Sequence, residues 1–157
     1  MALTMTNLFC GGLVLLASAA RPAQPSGAEG EVRAAVEAFY AAFNGHSFDA
    51  VPVTDDWEHI NPAGGTAQGR AEVLEELQEV HSTFLKGVSD RLENVSIRFP
   101  TSDTAIAVAT SQMSTYVTPD GTKHENERHI RTFVVVRKAG RWLIAHDQNT
   151  TILAVRP

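Results

Sequence analysis

Apolar and polar residues in the first half of the chain alternate with the period of a helix. The spacing predicts an amphipathic helix over 31–44, which Asn44-Gly45 ends as a C-terminal cap. A short second helix is expected over 47–51, before Pro52, and a third over 71–85, where glutamates fill the polar face. The apolar stripe of the first helix consists of Val32, Val36, Phe39, Tyr40 and Phe43.

Beyond Gly87 the period changes to two, which indicates strands. Thr118-Pro119-Asp120-Gly121 is a strong turn signal between two of them. Helices followed by a run of strands predict an α+β fold. We expect a cone-shaped, curved antiparallel sheet wrapped around the N-terminal helix, with a ligand pocket at its open end. The four long strands are predicted over 92–99, 104–116, 123–137 and 142–152.

The N-terminal segment differs from the rest of the chain. Residues 8–20, "LFCGGLVLLASAA", are apolar or small, too few to span a bilayer, and contain an Ala-Ser-Ala cleavage pattern. This predicts a signal peptide over 1–20, a flexible leader over 21–30 and one domain over 31–157. Such a protein would be secreted or periplasmic, without membrane association after cleavage. No Lys or Arg precedes the apolar run, so an uncleaved anchor is the alternative.

Charge and cysteine content exclude some function classes. The net charge of -5 and the pI of about 5.6 argue against nucleic-acid binding, which needs a basic surface. Cys10 is the single cysteine and lies in the leader, so the domain has no disulfide and no thiolate nucleophile. The histidines of "HENERH" are five residues apart, unlike those of a zinc protease helix. We expect no cofactor and no metal site, with a metal between His59 and His146 as the alternative.

Three segments resemble a known family. They are "AAFNGHSFD" (41–49), "DDWEHINPAGGTAQGRAEV" (55–73) and "RTFVVVRKAGRWLIAHDQNT" (131–150). With their spacing, they are similar to the nuclear transport factor 2-like superfamily, in particular its SnoaL-like branch and the SgcJ/EcaC-like proteins. The resemblance implies the cone-shaped cystatin-like fold. It does not choose an activity, because the superfamily includes isomerases, dehydratases, cyclases and binding domains.

The segment "DDWEHINPAGG" (55–65) holds the first candidate site residues. On a strand, Trp57, His59 and Asn61 share one face, and Glu58 lies on the other. The resemblance implies that the face with the aromatic residue points into the cone. There Trp57 would offer a stacking surface, Asn61 an amide, and His59 a general base. A hydrogen-bonded structural histidine is the alternative reading of His59.

The last strand offers a second set of candidates. Trp142 and Ile144 are bulkier than the residues between them, so we expect their face to point inward and to carry His146 and Gln148. A bulge would reverse this orientation and make Asp147 the candidate base, with a pKa raised by burial. Further ligand-binding candidates are Tyr40, Thr132 and, at the mouth, Arg128. His81 is expected to be a partly buried structural histidine.

Three functions remain open at this point. The leading hypothesis is a domain that binds a small apolar or aromatic molecule. The second is a cofactor-independent isomerase, dehydratase or cyclase with His59 or His146 as general base. The third is a homodimeric assembly domain that pairs through the convex face of the sheet, where the small residues Ala105, Ala107 and Ala109 would pack against a partner.

Overall fold

The computed structural model describes residues 27–153. The predicted signal peptide and most of the leader lie outside these residues. Neither helix of the described part is long and apolar enough to cross a membrane. The elements are α1 (Ala28–Gly45), β1 (Val53–Ile60), β2 (Thr66–Gln68), α2 (Arg70–Ser82), β3 (Asp90–Thr101), β4 (Thr104–Met113), β5 (Tyr116–Val117), β6 (Lys123–His124), β7 (Arg128–Lys138) and β8 (Arg141–Thr151).

Six strands form one curved sheet in the order β2-β1-β8-β7-β4-β3, and β5 pairs with β6 in a separate hairpin. The predicted α+β class is confirmed. The sheet is mixed rather than wholly antiparallel, because β1 runs parallel to β8. These two strands are joined through most of the chain instead of a hairpin, so no tight turn forces them into opposite directions.

Helix α1 packs across the inner face of the sheet. Its buried stripe includes Val32, Val36 and Phe39, and the Phe39 ring meets the rings of Trp57 and Phe133 edge to face, at centroid distances of 6.4 and 5.4 Å. Each such buried aromatic side chain contributes a large apolar area to the core. The predicted short helix over 47–51 is a turn instead, closed by a hydrogen bond from Val51 N–H to the Phe48 carbonyl oxygen (3.1 Å).

The alanines of β4 lie on the inner face, not on the convex face as predicted. Ala105, Ala107 and Ala109 are fully buried and pair with inward residues of β7 such as Phe133. Small side chains here leave room for α1 and for the large ring of Phe133. The convex face of β4 carries Ile106 and Val108 instead, both half-buried.

Candidate active site

A bulge in β8 decides which of its polar residues face the interior. Ile144 lies opposite Val135 and His146 lies opposite Val134, so Ala145 is an extra residue without a partner in β7. The extra residue shifts the alternation by one position. Trp142 and Ile144 therefore point inward, as expected, but Asp147 and Asn149 follow them into the interior.

The predicted inward orientation of His146 and Gln148 is therefore wrong. The alternative is confirmed: a bulge reverses the faces of the residues that follow it, and Asp147 points inward. Gln148 is exposed. The His146 imidazole lies on the outer face, where its Nδ1 is 2.9 Å from the Glu58 carboxylate. His146 is thus not placed to act as a base in the interior.

Strand β7 also turns the predicted residues outward. The buried residues of β7 alternate from His129 to Val135, so Thr132 and Arg128 lie on the opposite face. The Arg128 guanidinium binds Glu93 at 2.8 Å in an exposed ion pair. The prediction that Thr132 and Arg128 line the pocket is wrong, because Val134 and Val136 make the outer face of β7 nearly as apolar as the inner face. Alternation alone could not identify the buried side.

Asp147 is the centre of the interior polar group. Its Oδ1 accepts a hydrogen bond from Trp57 Nε1 (2.8 Å), and its Oδ2 lies 2.9 Å from His59 Nδ1. The Arg131 guanidinium also binds Oδ2. Three donors from two strands, β1 and β7, therefore converge on one carboxylate that is fully buried.

These partners keep Asp147 ionised. Burial by itself would raise the pKa of Asp147, but the charge of Arg131 and the hydrogen bonds from His59 and Trp57 outweigh burial and lower it. This differs from the raised pKa expected for Asp147 as a base. A carboxylate that is already saturated with donors is a poor proton acceptor, so its role is to hold its neighbours.

Arg131 compensates the charge of Asp147 within the interior. Its guanidinium also lies over the Phe39 ring, 4.7 Å from the centroid, a favourable arrangement for a desolvated cation. The buried carboxylate of Asp147 therefore has a cationic partner in the interior.

A cavity of about 460 Å³ adjoins this polar group at His59. It lies between the C-terminal ends of α1 and α2, the end of β1 and the β5–β6 hairpin. Its size suits a small organic molecule. The mainly apolar wall is formed by Phe43, Leu77, Val80, Phe84, Leu85 and Met113, and the polar residues at the wall include His59, Asn61, Glu76, His81 and His124.

His59 connects the buried carboxylate to the cavity. This histidine is only 4% exposed and lines the cavity, and its Nδ1 contacts the Asp147 carboxylate. A histidine with Nδ1–H bound to a carboxylate carries its lone pair on Nε2. The geometry therefore fixes the tautomer in which Nε2 is available as a base toward the cavity.

Asn61 lines the cavity, but its side chain is used by the turn that follows β1. Its Oδ1 accepts hydrogen bonds from the N–H groups of Ala63 (3.0 Å) and Gly65 (2.9 Å), and its Nδ2 donates to Glu76 at 3.0 Å. A Cβ on Gly65 would lie 2.4 Å from Asn61 Nδ2. A larger residue at position 65 would therefore require the amide to shift out of these hydrogen bonds.

Trp57 and Tyr40 lie below the cavity instead of lining it. Trp57 is fully buried, so it holds Asp147 and offers no stacking surface to a ligand. The Tyr40 hydroxyl lies close to Ser111 and Arg131, yet it has no well-formed hydrogen bond within residues 27–153. Burial raises the pKa of Tyr40, partly offset by Arg131, and burial likewise raises that of Asp90.

One residue of the cavity wall, His81, was missed as a site candidate, as was its neighbour His46. His81 is 4% exposed and lines the cavity. Its Nδ1 lies 2.7 Å from Nδ1 of His46, which follows α1. The available signal was position, because Val73, Leu77 and His81 continue one buried stripe of α2 at four-residue spacing.

The alternative of a metal between His59 and His146 does not fit the geometry, because the two side chains lie on opposite faces of the sheet. Within residues 27–153, no group of three or more His, Cys, Asp or Glu side chains is arranged to hold a metal ion.

The comparisons with known proteins agree with this architecture. The family model of the SnoaL-like domain matches residues 32–152. No curated protein matches the chain. Among solved structures, an uncharacterized protein with a cystatin-like fold from Caulobacter vibrioides is 24% identical with a TM-score of 0.77, over 80% of this chain and 89% of that one. A ketosteroid isomerase-like protein from Erwinia carotovora atroseptica is 22% identical with a TM-score of 0.65, over 80% and 96%.

Proposed function

The chain belongs to the SnoaL-like domain family, and we propose that it binds a small, mostly apolar molecule and moves a proton on it, with His59 as general base. This is cofactor-independent acid–base chemistry of the isomerase or dehydratase type. One similar structure carries the name ketosteroid isomerase-like, which is compatible with the proposal. Assignment to the narrower SgcJ/EcaC-like group is likewise a proposal and rests on the three segments quoted above.

The observation that carries the proposal is the arrangement of His59. Its Nδ1 is held by Asp147, which is kept ionised by Arg131 and Trp57. His59 lines the mainly apolar cavity, and Nε2 is its ring nitrogen that Asp147 does not engage. An imidazole oriented by a carboxylate at the wall of a cavity is the arrangement required of a general base.

The proposed reaction is proton transfer next to a carbonyl group. His59 Nε2 takes a proton from carbon next to a carbonyl group, and the electron pair moves into the carbonyl to give an enolate. The same nitrogen returns the proton to the first carbon or to another carbon of the enolate. The imidazolium formed in between is stabilised by the Asp147 carboxylate.

Hydrogen exchange on a model ketone tests the proposal without knowledge of the natural substrate. The protein is incubated with 2-tetralone in deuterium oxide, and proton NMR follows the loss of the hydrogens next to the carbonyl. We expect exchange faster than in buffer alone. In His59→Gln it should fall by roughly a hundred- to ten-thousand-fold, as for loss of a general base.

His146→Gln is the matched control, because His146 also pairs with a carboxylate but lies on the outer face. Its exchange rate is expected to equal that of the wild type. Equal exchange in wild type and His59→Gln, with 2-tetralone bound in both, would reduce the proposal to ligand binding alone.

We also infer a homodimer, on a different observation. The outer face of the sheet carries apolar side chains at neighbouring positions of β4 and β7, namely Ile106, Val108, Val134 and Val136, which are half-buried, and Ile130, which is 36% exposed. A lysine in place of Val134 should convert a dimer to a monomer in analytical ultracentrifugation. A monomeric wild type at high concentration would refute this inference.

Export is proposed from the leader sequence. The composition of residues 8–20 and the Ala-Ser-Ala pattern support cleavage after residue 19 or 20. Intact mass of the protein recovered from the periplasm or medium tests it, and a full-length mass in the cytoplasmic fraction would refute it.

A further inference from the structure

We propose that His81 binds the carbonyl oxygen of the ligand through Nε2–H, with His46 as the residue that sets its tautomer. The inference rests on the proposed function and deepens it. It assigns the ligand to a class: a molecule with an apolar body and a carbonyl group near its reacting carbon.

The position of His81 is well defined by its neighbours. Its ring lies edge-on to Phe43 and Phe48, with centroid distances of 4.5 and 5.0 Å. Val73 and Leu77 anchor the same side of α2 in the core. The imidazole is thus held in one place at the edge of the cavity.

The Nε2 atom of His81 lacks a hydrogen-bond partner among the described residues. It is buried, although His81 lines the cavity. An unpaired buried polar atom costs free energy unless water or a ligand satisfies it. Since His81 lines the mainly apolar cavity and Glu76, the other polar wall residue of α2, binds Asn61, this atom is the unpaired polar group that α2 offers to a ligand.

His46 occupies a position that favours its role. It ends α1 in the left-handed conformation, with φ of 53° and ψ of 34°, where glycine or asparagine is more common. This backbone turn directs its ring to His81, with a centroid distance of 5.0 Å. A histidine at this position adds a hydrogen-bond partner that glycine would lack.

The contact between the two Nδ1 atoms, 2.7 Å long, requires one proton between them. His46 is exposed, so water can satisfy its second nitrogen in either state, and it is able to donate. When His46 donates, Nδ1 of His81 accepts and the hydrogen of His81 is on Nε2. This tautomer places a donor at the cavity.

His81 also stays neutral at ordinary pH. Burial, followed by the nearby His46 and Arg131, lowers the pKa of His81 to about 4. A neutral imidazole is a suitable donor to a carbonyl oxygen that gains negative charge, because it stabilises the enolate without giving up its proton. His59 and His81 then have separate roles, one on carbon and one on oxygen.

The experiment compares two probes of the same shape, 2-tetralone and its hydrocarbon tetralin, by NMR titration. In the wild type, the ketone is paired with His81. In His81→Phe, we expect the ratio of the two dissociation constants to shift toward the hydrocarbon by roughly tenfold, because the carbonyl is left unpaired in an apolar wall. His146→Gln should leave the ratio unchanged.

Two further measurements keep the test independent of how well His81→Phe folds. In wild-type protein, the ¹³C resonance of carbonyl-labelled 2-tetralone should move downfield on binding, as for a hydrogen-bonded ketone. The ¹⁵N resonances of His81 should report Nε2–H, and His46→Ala should yield a mixture of tautomers with a smaller carbonyl shift. A structural role of His46 alone would leave both signals unchanged.

The outcomes separate the two proposals. An unchanged affinity ratio in His81→Phe, or an Nδ1–H tautomer in the wild type, would overturn the role of His81 even if His59-dependent exchange persists. Loss of exchange in His59→Gln with a shifted ratio in His81→Phe supports both. Failure of both probes to bind the wild type would overturn the ligand pocket and both proposals together.

Discussion

Strands β1 and β8 carry two histidine–carboxylate pairs at adjacent positions, on opposite faces of the sheet. The inner pair is His59 with Asp147, and the outer pair is His146 with Glu58; each has a nitrogen–oxygen distance of 2.9 Å. The side chains of the inner pair are 5% and 0% exposed, and those of the outer pair are 25% and 46% exposed. The two pairs thus have the same kinds of side chain and the same distance, but they differ in how far they are exposed to solvent.

The difference shows that a histidine–carboxylate contact acquires its properties from what surrounds it. The inner carboxylate also binds Arg131 and Trp57 and is shielded from water. The outer pair competes with solvent and salt, which weakens it. The inner pair therefore can fix the orientation of an imidazole over a cavity, whereas the outer pair adds little to structure.

Removal of the carboxylate charge should give the largest difference in stability between the two pairs. Asp147→Asn leaves the Arg131 charge buried and unpaired, which costs about 3–5 kcal/mol in the free energy of unfolding. Glu58→Gln should cost about 0–1 kcal/mol. Urea denaturation of both variants measures this, and similar losses would show that the environment of the inner pair is not what stabilises it.

Acid titration sharpens the comparison. The pKa of Asp147 is lowered from 3.8, so its contribution is present above that pH and is lost as pH falls through the folded-state value below it. The stability gap between wild type and Asp147→Asn should therefore stay constant from pH 7 to about 4. His81, with a pKa lowered from 6.5 to about 4, destabilises both proteins alike in that range. A gap that closes near pH 6 would contradict this assignment.

Salt should give the smallest effect. Between 0.05 and 0.5 M sodium chloride, the loss in Glu58→Gln should shrink by a few tenths of a kcal/mol, because exposed charges are screened over a Debye length of roughly 4–14 Å in this range. The loss in Asp147→Asn should remain the same. Denaturation at the two salt concentrations measures both, and a salt-sensitive inner pair would indicate access of water to Asp147.

The sequence predicted the helices and strands well, where periodicity was strong. The stripe of α1 and the alternation along β4 correspond to buried residues. The parallel direction of β1 against β8 was not predicted, because strand pairing depends on contacts between distant parts of the chain that no local pattern encodes. The same holds for the turn over 47–51, where Phe48 and Val51 are buried in the core instead of forming a helix.

The site was predicted only in part. His59 could be named because Trp57 marked its side of the strand, whereas Asp147 and Arg131 were assigned to the other face or overlooked. Alternation identifies two faces without stating which one is buried, and both faces of β7 are apolar. The contact between His46 and His81 joins residues 35 positions apart, and only the packing of α1 against α2 reveals it.

The bulge at Ala145 has a consequence for the chemistry of the interior. Deleting Ala145 would remove the bulge and leave Asp147 and Asn149 on the inner face, because the regular alternation would then place Ile144 inward, His146 outward and Asp147 inward. If the strand instead kept its length and lost the bulge, His146 and Gln148 would turn inward and Asp147 and Asn149 would turn to the surface. The chemistry of such a cone could therefore change through the loss of one bulge, without replacing any residue that takes part.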